Sequence, residues 1–222
     1  MKLSNICESG LSRVHKHMME HDCAMITAWR NDPLDLSHCA ADLEAVKALQ
    51  ERNLRDIKHS KKDNGIDRKF VHELNKINNS HVKAVLRTHG YGVTDVDGTF
   101  IENFDSPNAI PVNEDSMFVV NLNDDPKFKE IIAGLGREYC QDSVLFIDKG
   151  TGNAYLHGTN NSSSPGLEND MTVGKWRGGH DGQFYTSVSG RPFTFKEEKL
   201  SNNANWFMSL VVNYRKNHNL TY

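Results

Sequence analysis

Three stretches decide the fold: Ser116-Met-Phe-Val-Val-Asn121, Asp125-Pro-Lys-Phe-Lys-Glu-Ile-Ile-Ala-Gly-Leu-Gly-Arg-Glu-Tyr139 and Ser143-Val-Leu-Phe-Ile-Asp148. The first and third are short apolar runs rich in β-branched and aromatic residues, the composition of buried strands. Between them, Asp125-Pro126 offers a capping carboxylate followed by proline at the first helical position. Phe128, Ile131, Ile132, Leu135 and Tyr139 then recur with helical spacing. The unit reads strand–helix–strand. Lys149-Gly-Thr-Gly152 is turn chemistry, and Asn153–His157 extends the last strand into a hairpin.

The same pattern continues toward the N-terminus. Residues 9–21 suit a short helix, and 22–30 form a buried strand closed by Arg30-Asn-Asp-Pro33. Residues 34–78 are polar with helical stripes (Leu43, Val46 and Leu49, then Phe70, Leu74 and Ile77), joined by an exposed, charged connection around Lys58–Asp67. Ser80 is placed to cap a helix carrying Val82, Val85 and Leu86, with Gly90 just past its end. Tyr91–Glu102 reads as a strand with Asp97-Gly98 as a turn or bulge, and 103–111 as a loop.

From 22 to 157 the order is strand, helix, strand, strand, helix, strand. That order predicts an α+β fold: a ferredoxin-like split βαβ antiparallel sheet with two helices on one face and the other face free for a ligand or another subunit. Residues 1–157 form this core with a helical insertion at 34–78. Residues 158–222 form a C-terminal extension: a long loop over 160–182, a hairpin of 183–188 with 192–195, and a final helix carrying Trp206, Phe207, Leu210 and Val211.

With 26 Lys+Arg against 29 Asp+Glu in 222 residues, the net charge of −3 argues against a DNA mimic and against a protein held on nucleic acid mainly through phosphates. No apolar run is long enough to span a membrane, and the first residues have no secretory apolar region, so the expected address is the cytoplasm. Cys7, Cys23, Cys39 and Cys140 form no CxxC, and free thiols in a reducing compartment are expected.

Several motifs reduce to structural readings. His15, His17, His21 and Cys23 are dense, but neither an HExxH nor a distant CxxC completes a zinc site. His157-Gly-Thr159 is half of a two-histidine phosphoesterase pattern, and no other histidine has Thr two residues on. His157, His180 and Asp181 support a nucleotide phosphohydrolase only with an added divalent metal. Gly174-Lys-Trp-Arg-Gly-Gly-His180 reads as a surface loop, since it matches no phosphate-binding fingerprint. What remains is Asn113-Glu114-Asp115-Ser116 before one strand and Cys140-Gln141-Asp142-Ser143 before another. A polar group at such a position serves capping and turns as readily as chemistry. In the layout above the two lie at opposite ends of the sheet unless Glu114 or Gln141 leans inward.

These residues carry a resemblance. Thr27-Ala28-Trp29-Arg30, Leu86 through Gly92, Glu114-x-Ser116-x-x-Val119 and Gln141-Asp142-Ser143-Val144-Leu145 resemble, in order and spacing, the bacteriophage S-adenosylmethionine lyases, formerly called S-adenosylmethionine hydrolases. The resemblance covers about 22–30 and 79–157. It implies a ferredoxin-like subunit in a homotrimer with active sites between subunits, in the host cytoplasm if phage-encoded. It implies cleavage of S-adenosylmethionine to methylthioadenosine and homoserine lactone without metal or cofactor, and loss of the methyl donor that host restriction-modification needs. It places catalysis on Glu114 and Gln141. Tyr91, Ser116, Asp142 and Ser143 then contact the substrate, and no nucleic acid or membrane partner is implied. A non-enzymatic counter-defence protein, binding a nucleotide-like ligand or a host protein, is the alternative.

Overall fold

The computed structural model describes residues 10–55, 68–102, 107, 110–178, 184–188 and 191–196 of the 222. The N-terminal half comprises α1 (Gly10–Glu20), β1 (Cys23–Ile26), α2 (Leu43–Leu54), α3 (Arg68–Thr88), β2 (Gly92–Glu102) and β3 (Ile110–Val120). It is followed by α4 (Phe128–Glu138), β4 (Ser143–Ile147), β5 (Asn153–Gly158), β6 (Asp170–Gly178), β7 (Phe184–Val188) and β8 (Arg191–Lys196).

The eight strands close into an antiparallel barrel in the order β1-β3-β2-β7-β8-β6-β5-β4. This corrects the expected ferredoxin-like split βαβ sheet. The strand–helix–strand units are present, and β4, β1, β3 and β2 are successive neighbours, but the sheet does not stop at β2 and β4. β5 pairs with β4, β7 pairs with Asp97–Phe100 of β2, and β6 and β8 join the two ends. The physical reason is that an open sheet leaves two rows of unpaired peptide groups, and closure satisfies both.

Local differences follow. β6 runs through residues read as a loop, including Gly174–Gly178. Of the expected 183–188 and 192–195 hairpin, β7 and β8 are present and pair antiparallel, while Gln183 and residues 189–190 lie outside the described residues. Asp97 and Gly98 lie inside a continuous β2, and β3 begins at Ile110, giving an eleven-residue register from Gly92↔Val120 to Glu102↔Ile110. Ser80 caps nothing: α3 runs through it, and its hydroxyl donates to the Lys76 carbonyl at 2.8 Å, a back-bond that satisfies the serine within the helix. Gly90 does follow the helix end, at φ 78°, where glycine carries no Cβ penalty. The connection around Lys58–Asp67 and the final helix near Trp206 lie outside the described residues.

Two cores result. Outside the barrel, Ala24, Ile26, Met117, Val119 and Phe146 pack under Val82 and Leu86 of α3 and Phe128 and Ile132 of α4. Inside it, Cys23, Phe118, Val120, Leu145, Ile147 and Phe193 cluster with Val14 and Met18 of α1. The supposedly free face of the sheet is therefore the barrel lumen. Its α1 end is apolar and filled.

Cys39 and Cys140 are joined by a disulfide across 101 residues, correcting the expectation of free thiols there. Spacing gives no hint of a link between segments this distant in the chain. Cys23 remains a buried thiol, pushed up to about 12 by desolvation, with the neighbouring Asp22 adding to the effect.

Candidate functional site

A cavity of about 680 Å³ opens at the barrel end opposite α1, within the size range of small-molecule sites. Strand direction explains its contents. β3 and β4 both run antiparallel to β1 and hence parallel to each other. Their starts share one end of the barrel, where β1 finishes. Glu114 and Ser116, in β3 just before the stretch that pairs with β1, therefore meet Gln141, Asp142 and Ser143 where the chain enters β4, and all five line the cavity within one chain. The expectation of opposite ends is corrected by this shared direction. Side chains alternate, and Met25, Phe118, Leu145 and Leu156 stand in register on one face. Stepping by two from them brings Ser116, Glu114 and Ser143 inward.

Gly98 faces Glu114 across the β2–β3 ladder. A Cβ there would stand 2.7 Å from Ser116 Oγ and 3.2 Å from the Glu114 carbonyl oxygen, so the missing side chain leaves room beside both residues. The deeper lining is apolar: Met25, Leu145, Leu156, Met171, Phe193 and Phe195.

The Gln141 junction is built by a helix end. Cys140 adopts φ 51°, and the Gln141 N–H returns to the Gly136 carbonyl at 2.9 Å. Gln141 is buried, its side-chain amide donating to the Tyr139 carbonyl at 3.2 Å. Its own carbonyl accepts from Thr159 Oγ1 at 2.6 Å. Asn160 Nδ2 donates to Asp142 Oδ1 at 2.6 Å and to the Cys140 carbonyl at 3.3 Å.

The other wall follows β1. The β1–β3 ladder ends at Ile26↔Met117. Beyond it, the Asp115 carbonyl accepts from Thr27 Oγ1 at 2.8 Å and from Asn79 Nδ2 at 2.7 Å. Asn79 Oδ1 accepts the Ala28 N–H at 2.7 Å, and one helical turn earlier Asn75 accepts from Arg30 N at 3.2 Å and donates to Arg30 O at 2.8 Å. α3 thus fixes the segment that carries Trp29, Arg30, Asp32 and Asp35 into the lining. Periodicity did not reveal these residues, because Arg30–Pro33 reads as turn chemistry. The available signal was their place just beyond a strand's carboxyl end.

The charged lining is lopsided: Asp32, Asp35, Glu114 and Asp142 against Arg30. The Ser37 backbone N–H, 2.9 Å from Asp35 Oδ1, holds the Asp35 carboxyl below its usual range, with the Ser37 hydroxyl and then Arg30 adding to the effect. Such a rim favours a cationic small molecule.

Tyr91 lies elsewhere. It precedes Gly92, which pairs with Val120 at the far end of β3, and its hydroxyl donates to Asp125 at 2.7 Å. It packs edge-on to Phe128 and lines no part of the cavity. His157 also stands apart, 2.7 Å from Asp170 and 3.5 Å from Glu168, while His180 and Asp181 lie outside the described residues. Among the described residues no group of His, Cys, Asp and Glu is arranged to hold a metal, and no helix is long and apolar enough to cross a membrane.

No curated protein sequence matches the chain. A family model does, over residues 68–200, from the start of α3 through β8, which takes in Glu114, Gln141 and most of the barrel. On that match over more than half its length, the chain belongs to the S-adenosylmethionine lyase family.

Proposed function

We propose that the cavity binds S-adenosylmethionine and that the protein cleaves it to methylthioadenosine and homoserine lactone. The observation that carries this reading is the convergence of Glu114 and Gln141 on one carboxylate-rich cavity in a chain of this family. The substrate's carboxylate oxygen attacks its own γ-carbon. The carbon–sulfur bond breaks, and the electron pair goes to sulfur, leaving a neutral thioether. No proton is exchanged and no second reactant is needed. The protein's task is to hold a bent near-attack conformer, a contribution of roughly 7–11 kcal/mol in well-oriented intramolecular reactions.

In this reading Glu114 holds the substrate's ammonium. Gln141 orients it with an uncharged amide, and Ser116, Asp142 and Ser143 contribute polar contacts. The apolar lumen receives the adenosine. Trp29, on the cavity wall, offers its ring to the sulfonium in place of the substrate contact expected of Tyr91. Tyr91 instead supports the outer core. The working assembly is a homotrimer, and the biological effect is loss of the methyl donor during phage infection.

Chromatography of the purified protein with S-adenosylmethionine tests the activity: methylthioadenosine and homoserine lactone should appear together. Glu114→Gln should abolish release while the unfolding midpoint stays close to wild type. Absence of product from the wild type, or wild-type turnover by Glu114→Gln, overturns the proposal. Binding without product favours a non-enzymatic ligand-binding protein. Light scattering reads the trimer, and methyl-donor levels in expressing cells read the biological role.

A further inference from the structure

We propose that Arg30 reads the substrate's α-carboxylate and makes that group a requirement for tight binding. This rests on the cavity being the S-adenosylmethionine site, and it concerns a residue that precedes the family-matched segment. Three observations converge on Arg30. Its backbone is clasped on both polar groups by Asn75, a fully buried side chain, so the start of the arginine is fixed. Its guanidinium Nη1 donates to the Cys140 carbonyl, one residue before Gln141, so the far end of the side chain is anchored beside the other candidate residue. It is also the sole cation among the described lining residues, and none of the ion pairs among the described residues includes it.

A guanidinium has five N–H donors in a planar fork that matches a carboxylate edge, and one of them is engaged by Cys140. The substrate carries two cationic groups and one anionic group. The four lining carboxylates suit the cations, and Arg30 suits the anion. The carboxylate is also the attacking group. Holding one edge of it leaves an oxygen directed at the γ-carbon while denying the flexible methionine chain its extended conformers. Arg30 keeps its charge throughout and exchanges no proton.

The test uses two unreactive probes that both carry a cation at the sulfur position. Sinefungin has the α-carboxylate; decarboxylated S-adenosylmethionine lacks it and cannot form a lactone. Titration calorimetry is run on the wild-type chain, Arg30→Gln and Arg30→Lys. Arg30→Gln should weaken sinefungin by about tenfold or more, as expected for loss of a charge-assisted contact, and leave the decarboxylated probe within about twofold. Arg30→Lys should recover part of the sinefungin affinity, since it keeps the charge and loses the fork.

Equal weakening of both probes would show a merely structural role and overturn the assignment, as would unchanged sinefungin binding. If Arg30→Gln does not fold, Arg30→Lys carries the test: sinefungin must weaken selectively. A wild-type chain that binds neither probe overturns the cavity reading itself, which is distinguishable from a wild type that binds both and a variant that fails to discriminate.

Discussion

Asn79 on α3 bridges two strands that do not pair at that point. Its Oδ1 accepts the Ala28 N–H and its Nδ2 donates to the Asp115 carbonyl, each at 2.7 Å. Asn79→Ala removes both bonds. Asp115 keeps Thr27 Oγ1, but the Ala28 N–H is left unpaired in a residue only 1% exposed. An orphaned buried donor costs about 1–3 kcal/mol, so a destabilisation of about 2 kcal/mol is expected. For a chain of this length that lowers the melting temperature by about 4–8 °C. Urea unfolding should show a lower midpoint with an unchanged slope. Asn79→Asp keeps the acceptor but points a carboxylate oxygen at a carbonyl, so it should be no better than alanine at neutral pH. Thr27→Val combined with Asn79→Ala strips Asp115 of both side-chain donors, and the pair should lose at least about 0.5 kcal/mol more than the sum of the singles. Because Trp29 and Arg30 follow directly, KM for S-adenosylmethionine should rise more than kcat falls. An Asn79→Ala chain within about 0.5 kcal/mol of wild type, or additive effects of the two variants, would refute the bridge.

Gly98→Ala should cost about 1–3 kcal/mol and weaken substrate binding, since the new methyl meets Ser116 Oγ at 2.7 Å; Ser116→Gly in the same chain should restore much of the stability, as read by thermal unfolding. At about pH 8.5 the Cys23 thiol should resist iodoacetamide in the native chain and react once unfolded, because burial holds it protonated; peptide mass spectrometry checks this, and native labelling would contradict it. The Asp125 carboxyl is held below its usual range by the Tyr91 hydroxyl first and the Lys127 N–H next. Its contribution is therefore present above the ordinary carboxylate value of about 3.9 and lost as pH falls through the lower folded value. Asp125→Asn should flatten the acid limb of melting temperature against pH, and an unaltered limb would remove this carboxylate from the balance.

Helices and most strands were legible because their periodicity is local. Phe128, Ile132 and Leu135 mark α4 through their spacing, and the β-branched runs mark β3 and β4. Closure was not legible. Asp170–Gly178 mixes glycine with polar residues, and β5 and β6 change register between Ala154 and Tyr155. The β2–β7 pairing joins residues about 90 positions apart and leaves no mark in either strand alone. The site was half legible. Glu114 and Gln141 stood out at strand starts, but bringing them together required following strand direction through a crossover. Tyr91 looked suitable by residue type, yet it sits at the opposite end of the same ladder. Arg30 and Asp32 read as a turn and Asp35 as part of the polar 34–78 segment, because nothing in such a composition tells what it faces.

The circular hydrogen-bond order has a consequence for how copies of this chain can meet. Each described strand has a neighbour on both sides, so an extended peptide or a second copy can add backbone pairing only where a ladder stops short, as the β1 ladder does at Met117 of the longer β3. Along the complete ladders, copies meet through side chains from the helices, the connecting loops and the rim. Substitutions on those surfaces can then dissolve an oligomer while each barrel stays whole.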